Sequence, residues 1–380
     1  MNPLDLDVAG LLSQAWEQSF TDPARARQAG QRALDAAGRG TEAAAWSFWL
    51  LALAEVQSLN APSARARLHP ARTLFVQHGN GRGQAMCAEL DAAMALQIGD
   101  PIRASLIHRA IDIAPDPGFK AIDRFYARQQ RGQFARLLGQ WKPALDHFGA
   151  AREAAQASGN DGALATALAQ LGSQQLELGL LDEALASSES ALSLARHCGA
   201  RDAITTALGS LIVVHDALGR PDMSMELARA ALEQPQLQSP GALARLAVPM
   251  ALAHFRAGDT DRAEAWLEGG STASPADGDT AVFWAWLTVR CLLQRGEARY
   301  ARDLAERTLM HRRDKSTPWH VVELLDAAAD ACDAVGRADT ARIHRDDARQ
   351  LAAMAGIAPR RTISAAAGYL SDDRRFAPAG

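Results

Sequence analysis

The stretch that decides the fold runs from Leu168 to Ala191 and reads LAQLGSQQLELGLLDEALASSESA. Leucines recur at helical spacing before Gly179, and Leu181, Ala184 and further apolar or small residues recur after it. Apolar residues at positions i, i+3, i+4 and i+7 form one stripe along an α-helix. A glycine between two such stripes ends the first helix, because glycine enters the left-handed conformation without steric cost. The segment therefore predicts two antiparallel helices joined at Gly179.

The same signature, a glycine followed five residues later by a small residue, recurs along most of the chain. The spacings between successive glycines are 40, 40, 40, 39, 38 and 40 residues, for Gly99, Gly139, Gly179, Gly219, Gly258, Gly296 and Gly336. A small residue one turn into the second helix lets two helix backbones approach closely. Two weaker units fit upstream. One turns at Asp22, a natural N-cap before Pro23, and the other near Asn60, which tolerates the left-handed conformation.

These units predict an all-α fold, a right-handed superhelical solenoid of about nine antiparallel helical hairpins. The array is predicted to cover residues 1–358, with turns near residues 21, 60, 99, 139, 179, 219, 258, 296 and 336. Clusters of Gly, Pro, Asn, Asp and Ser, such as Gly269 to Asp279, are predicted to separate the hairpins. Ala makes up 81 of the 380 residues, and Ala is the strongest helix former. Residues 359–380 are predicted to form a mostly disordered tail.

The repeat resembles the tetratricopeptide repeat (TPR) in its longer bacterial form of roughly 40 residues. Leu171-Gly172 matches the Leu-Gly of the family's first helix, Gly179 the turn, and Ala184 and Ala191 the two close-packed alanines. The resemblance covers about nine-tenths of the chain, although the usual Pro at the end of each second helix is mostly missing. It implies that the first helices line a concave binding face, as in the sensory or scaffolding portions of bacterial signalling proteins.

Composition and motifs favour binding over chemistry. The net charge of −4 and pI near 6.2 argue against a nucleic-acid partner. The four Cys form no CxxC pair and indicate a reducing, cytoplasmic compartment. No stretch is long and apolar enough to predict membrane insertion. Phosphate-loop, zincin and nucleophile-elbow motifs are missing from the sequence. We therefore expect no catalytic residues, no cofactor and no metal, and we assign His311 and His320 to a solvated inter-repeat loop.

Counting back from each turn glycine gives the positions that the resemblance places on the concave face. The candidate binding residues among them are Tyr126, Gln129, Gln133, Arg136, Thr166, Ser173, Phe283, Trp286, Arg290, Glu323, Asp326, Asp330 and Asp333.

Three features of this face leave alternatives open. Four arginines occupy one helix, Arg124, Arg128, Arg131 and Arg136, and they either pair with acids of a neighbouring hairpin or form an anion site. The acidic stripe from Glu323 to Asp333 is either a solvated face or a site for a basic partner. Of the aromatic residues, Trp284 is predicted to lie in the core, whereas Phe283 and Trp286 are predicted to be exposed anchors for a partner.

The leading functional hypothesis is an adaptor or scaffold that binds a peptide or a segment of another protein. The side chains of Tyr126, Gln129, Gln133, Arg136 and Ser173 are predicted to recognise an acidic or carboxylate-bearing segment. The alternative is a ligand- or peptide-responsive regulatory module, such as the input half of a diguanylate cyclase, kinase or transcription regulator.

The register of the repeat can be tested at one turn. We expect Gly179→Val to lower the free energy of unfolding by roughly 1 kcal/mol or more, because a β-branched residue is strained in the left-handed conformation. Thermal melts of the variant and the unsubstituted chain measure the difference. Coincident melts would show that Gly179 does not occupy the turn.

Overall fold

The computed structural model describes residues 3–58, 60–98, 100–113, 118–234, 237–273, 278–313, 316 and 318–355. Within these ranges the chain forms 18 α-helices and no β-strand, which confirms the predicted all-α class. None of the described helices is both long and apolar enough to cross a membrane. The predicted tail at 359–380 and the turn residue Gly99 lie outside the described residues.

The helices pack pairwise as nine antiparallel hairpins, each with a first and a second helix. They are α1 (Pro3–Gln18) with α2 (Pro23–Ala36), α3 (Glu42–Gln57) with α4 (Ala61–Gln77), α5 (Gly81–Gln97) with α6 (Pro101–Ile113), α7 (Ala121–Leu137) with α8 (Trp141–Ser158), α9 (Asp161–Glu177) with α10 (Leu181–Cys198), α11 (Arg201–Ala217) with α12 (Pro221–Leu232), α13 (Pro240–Arg256) with α14 (Thr260–Ala273), α15 (Gly278–Gln294) with α16 (Ala298–Arg312), and α17 (Pro318–Ala334) with α18 (Ala338–Ala355).

The turns within the hairpins follow the predicted register. All six described turn glycines from Gly139 to Gly336 have φ values between 69° and 81°, including 75° at Gly179. Asp22 caps α2 as predicted, because its side chain accepts hydrogen bonds from the backbone N–H groups of Ala24 and Arg25. The prediction for Asn60 needs correction. Its φ is −104°, and its side chain caps α4 instead of entering the left-handed region.

A second series of left-handed glycines lies between the hairpins, where the sequence predicts only loose breaks. Gly40, Gly79, Gly118, Gly159 and Gly199 have φ values between 63° and 79° and recur at nearly the same 40-residue interval. The break predicted from Gly269 to Asp279 is shorter than expected, because α14 continues to Ala273 and α15 begins at Gly278. Left-handed glycines therefore flank both ends of three described first helices, α7, α9 and α11.

The small residues that follow the turns hold the two helices of each hairpin together. All seven are fully buried, namely Ala104, Ala144, Ala184, Ser224, Ala263, Ala301 and Ala341. In the hairpin α7–α8, a glycine of the first helix, Gly132, also allows the two helices to approach closely. A methyl group added at Gly132 would lie 2.7 to 2.9 Å from ring atoms of Phe148, a side chain with no exposed surface.

The chain divides into two compact units. Unit 1 comprises Met1–Leu171 and Glu189–Ile204, and unit 2 comprises Gly172–Ser188 and Thr205–Gly380. In unit 1 the first helices α1, α3, α5 and α7 contact one another in series, and in unit 2 α13, α15 and α17 do the same. Consecutive first helices thus form one layer within each unit, and their partners flank that layer.

Each unit also contains a contact between distant hairpins. In unit 1, Phe20 in the turn after α1 packs edge-on against Phe125 of α7, with ring centroids 5.1 Å apart. In unit 2, His320 Nε2 of α17 lies 3.7 Å from Glu177 Oε2 at the end of α9.

The close contact in the hairpin α7–α8 can be tested with two glycines. We expect Gly132→Ala to destabilise the fold by about 1–3 kcal/mol, because the added methyl would overlap the buried ring of Phe148. A methyl group added at Gly149 of α8 would have no atom within 4 Å, so Gly149→Ala should stabilise by up to about 1 kcal/mol through helix propensity. Chemical denaturation of both variants checks the pair. Equal shifts of the same sign would contradict the close packing.

Candidate functional site

One group of described first-helix residues that combines charge, aromatic rings and burial lies on α15 and α17 of unit 2. Phe283, Trp286 and Arg290 share one face of α15 because they are three and four residues apart. The four predicted acids share one face of α17 for the same reason, and they are Glu323, Asp326, Asp330 and Asp333. Because α15 and α17 are consecutive first helices in contact, these seven residues form one region, which we term the α15–α17 face.

Arginines neutralise much of the acidic stripe on this face. Arg290 Nη1 donates to Asp330 Oδ2 at 2.6 Å. Arg345 Nη2 of α18 donates to Asp330 Oδ1 at 3.1 Å and to Asp333 Oδ2 at 2.7 Å. Burial raises the pKa of Asp326, although the nearby charge of Arg290 opposes that shift. The stripe is therefore a paired surface, and neither alternative left open by the sequence describes it fully.

The prediction that Phe283 and Trp286 are exposed anchors is wrong. Phe283 is 8% exposed and Trp286 is 0% exposed, whereas Trp284, assigned to the core, is only half-buried. The ring of Phe283 stacks on Trp286 with centroids 5.2 Å apart. It also stacks on His320 at 4.7 Å, with an interplanar angle of 8°. The physical reason is that consecutive first helices cover each other's inward rings.

The position of His320 also differs from the prediction. The residue is buried on α17 and packs in the aromatic group instead of lying in a solvated loop. His311, by contrast, is exposed near the end of α16.

Two buried side chains on α15 have hydrogen-bond donors that no described acceptor satisfies. Nε and Nη2 of Arg290 and Nε1 of Trp286 are buried without a hydrogen-bond partner among the described residues. The two residues are four positions apart on the same helical face. Leaving a buried donor unsatisfied costs free energy, and the cost is larger for a charged group. The α15–α17 face therefore contains a buried aromatic N–H and part of a buried guanidinium group that are not used as donors within the described residues.

The predicted residues of unit 1 are more buried than the sequence suggested. Tyr126 is 3% exposed and Gln129 is 8% exposed, and Tyr126 packs edge-on against Trp49 at 5.8 Å. Burial also raises the pKa of Tyr126. Gln133 and Arg136 are half-buried, and Arg136 makes no ion pair with a described residue. The expectation that Tyr126 and Gln129 project into an open surface is therefore wrong, because both side chains lie against neighbouring helices.

Two further predicted residues add little recognition chemistry. Thr166 is half-buried in unit 1, and its hydroxyl donates to the carbonyl of Gly162 one turn earlier at 2.8 Å. Ser173 is half-buried and belongs to unit 2.

Of the two alternatives for the four arginines of α7, the structure supports ion pairing with a neighbouring hairpin for Arg131. Arg131 Nη2 donates to Glu89 Oε1 at 3.1 Å, and Arg131 Nη1 pairs with Asp112. Glu89 is fully buried on α5, and its second oxygen lies 3.4 Å from His108 Nε2. Sequence reasoning missed Glu89, although an acid about one repeat before an arginine is a readable signal.

Further ion pairs also join two first helices through residues about one repeat apart in sequence. Arg256 of α13 donates to both oxygens of Asp216 on α11, at 2.8 and 3.3 Å. Burial raises the pKa of Asp216, and Arg256 acts in the opposite direction. Arg82 and Asp123 pair likewise between α5 and α7, with Nη2 and Oδ1 2.9 Å apart.

Two buried cysteines on first helices, Cys87 of α5 and Cys291 of α15, are not activated nucleophiles. Burial raises the pKa of both Cys87 and Cys291 to about 12, which keeps these thiols protonated and unreactive. Within the described ranges, one group of three side chains could ligate a metal ion, namely Glu306, Cys332 and His344. It contains none of the predicted binding residues.

Comparison with known proteins identifies the fold. No protein-family model and no curated protein sequence matches the chain. Among solved structures, a Rap protein complexed with Competence and Sporulation Factor has a TM-score of 0.63 at 12% identity, over 93% of this chain and 99% of that chain. NprR in complex with its cognate peptide NprX has a TM-score of 0.59 at 12% identity, over 86% and 98% of the two chains.

A third match is the Rap conjugation gene regulator of the plasmid pLS20 in complex with the Phr* peptide. Its TM-score is 0.58 at 14% identity, and the match covers 92% of this chain and 96% of that chain. At these identities the likeness concerns the fold alone. The chain has the TPR-like fold of helical hairpins that the Rap proteins have.

Proposed function

We propose that this chain is a peptide-responsive regulatory module, and that it binds a short peptide on the α15–α17 face. The observation that carries the proposal is the pair of buried, unsatisfied donor groups on Arg290 and Trp286. The fold match adds support, because two of the matching structures are described as complexes with a peptide. We further propose that the chain is not an enzyme.

The donors on α15 specify the chemistry of the ligand. Arg290 uses Nη1 on Asp330 and keeps two donor nitrogens, Nε and Nη2, for an acceptor, and a guanidinium pairs best with a carboxylate. The indole N–H of Trp286 suits a backbone carbonyl, which would reach it only if the ligand displaces the packing that buries this ring. Asp326 carries a half-buried carboxyl group on the neighbouring helix, which suits a basic side chain or an amino group. The ligand that fits is therefore a short peptide carrying both a carboxylate and a basic group.

The proposed carboxylate-binding site differs from the one predicted from the sequence. The sequence pointed to Arg136 with Gln129, Gln133 and Tyr126 in unit 1, where the Tyr126 hydroxyl and Gln129 Oε1 are also buried without a described partner. The α15–α17 face is preferred because its unsatisfied donors include a charged group, the guanidinium of Arg290. A general scaffold for protein partners is the alternative function on the same fold. The peptide-responsive function is preferred because buried, directional donors recognise a small ligand better than they support a broad protein surface.

A selected peptide tests the proposal. A library of random short peptides displayed on phage is screened against the intact chain, and the selected peptide is synthesised and titrated by calorimetry. We expect Arg290→Lys to weaken binding at least about tenfold, or about 1.4 kcal/mol. The lysine keeps a charge near Asp330 but cannot replace the two free N–H donors. Trp286→Phe, which keeps a packed ring and removes the N–H, should weaken binding in the same direction.

Matched controls come from the same chain. Arg256→Lys alters an arginine that makes an equivalent one-repeat ion pair with Asp216, and Trp49→Phe removes a buried indole N–H in unit 1. Both should bind the peptide as the unsubstituted chain does. If no peptide is selected, the regulatory function is wrong. If the α15 variants and the controls bind equally, the peptide site lies elsewhere.

A further inference from the structure

A second group of side chains, outside the α15–α17 face, brings three different ligand types together. Glu306 lies on α16, Cys332 on α17 and His344 on α18. One ligand atom from each lies within 4.8 Å of the other two, and Cys332 Sγ is 3.9 Å from Glu306 Oε1. Donor atoms bound to one tetrahedral metal ion are about 3–4 Å apart, given bonds of about 2.0–2.3 Å. Small side-chain movements would therefore bring all three donors onto one ion.

The imidazole of His344 has a ring nitrogen that no described residue satisfies. Its Nε2 atom is buried and has no hydrogen-bond partner among the described residues. A buried ring nitrogen without a partner is costly, and a metal ion in the group would satisfy it.

The thiol of Cys332 is held in place and faces the carboxylate. Cys332 is fully buried and packs with Ala329 and Ala341. A bound divalent cation would stabilise the thiolate of Cys332. The S–H proton would leave to solvent as the thiolate ligates the ion, as is usual for cysteine ligands.

Glu306 supplies the carboxylate of the group. Its Oε1 atom faces Cys332 Sγ at 3.9 Å. Its Oε2 atom lies 3.9 Å from Arg302 Nε, which donates a hydrogen bond to Asp303 Oδ1 at 3.0 Å. The Glu306 carboxylate is therefore available as a ligand.

We propose that Glu306, Cys332 and His344 bind one Zn²⁺ ion through a carboxylate oxygen, a thiolate and an imidazole nitrogen. The mixed S, N and O donors suit zinc, whereas magnesium and calcium prefer oxygen ligands alone. Three protein ligands leave one tetrahedral position for water. The ion would join α16, α17 and α18, so that its role is to fix the last two described hairpins. This inference rests on a different observation from the proposed function, and each can fail alone.

Cobalt(II) is the probe for this site. The full chain, purified without a histidine tag and freed of metal, is titrated with Co²⁺ and then with Zn²⁺. We expect a thiolate-to-cobalt charge-transfer absorption that saturates at one ion per chain and disappears when zinc displaces the cobalt. Cys332→Ser and His344→Gln should each reduce zinc affinity at least about 100-fold, because removing a ligand exceeds the loss seen for its supporting partners.

Cys291→Ser is the matched control, because Cys291 is an equally buried thiol of the same unit that does not belong to the group. It should keep the cobalt absorption and the zinc affinity. Circular dichroism melts verify that each variant is folded, and the half-buried His344 tolerates glutamine even if the Cys332 variant does not fold. The proposal is overturned if no thiolate–cobalt absorption appears, or if His344→Gln binds zinc as tightly as the unsubstituted chain.

Discussion

Close contact between the two helices of each hairpin is the constraint on which the rest of the structure depends. In the six hairpins whose turn glycine is described, it requires a reversal of the chain at that left-handed glycine and a fully buried small residue five positions later, such as Ala184 after Gly179. A larger residue would push the second helix away. The next first helix would then lose its neighbour, and pairs such as Arg290 with Asp330 could not form across one repeat. Local chemistry in the turns thus governs contacts 40 residues away.

The architecture was predictable from the sequence because its determinants are local. The turn glycines, the N-cap at Asp22 and the buried small residues each depend on a few neighbouring positions, and the structure confirms them. The site was only partly predictable. A helical wheel places Trp286 and Arg290 on one face, but it cannot tell which neighbouring helix covers them. The burial of Phe283 and Trp286 and the stacking of Phe283 on His320 are set by packing between hairpins.

Ion pairs between first helices also join residues that lie about one repeat apart in sequence. Glu89 with Arg131 and Asp216 with Arg256 are buried or nearly buried pairs that join equivalent first helices. Burying an ion pair costs much of the attraction that it gains, so its clearest effect is to fix which helices meet and in what register. Arg290 departs from this pattern because only part of its guanidinium is used within the described chain. Under the proposed function, that difference distinguishes Arg290, as a recognition residue, from structural arginines such as Arg131 and Arg256.

The contacts between distant hairpins, Phe20 with Phe125 and Glu177 with His320, change how each unit should unfold. An open repeat array behaves as a one-dimensional chain, in which stability is a sum of nearest-neighbour terms and the ends fray independently. Here the loss of one hairpin also removes support from another several repeats along. Unfolding within a unit is therefore expected to be cooperative, and hydrogen exchange should report one large protected block in each unit instead of a gradient from its ends.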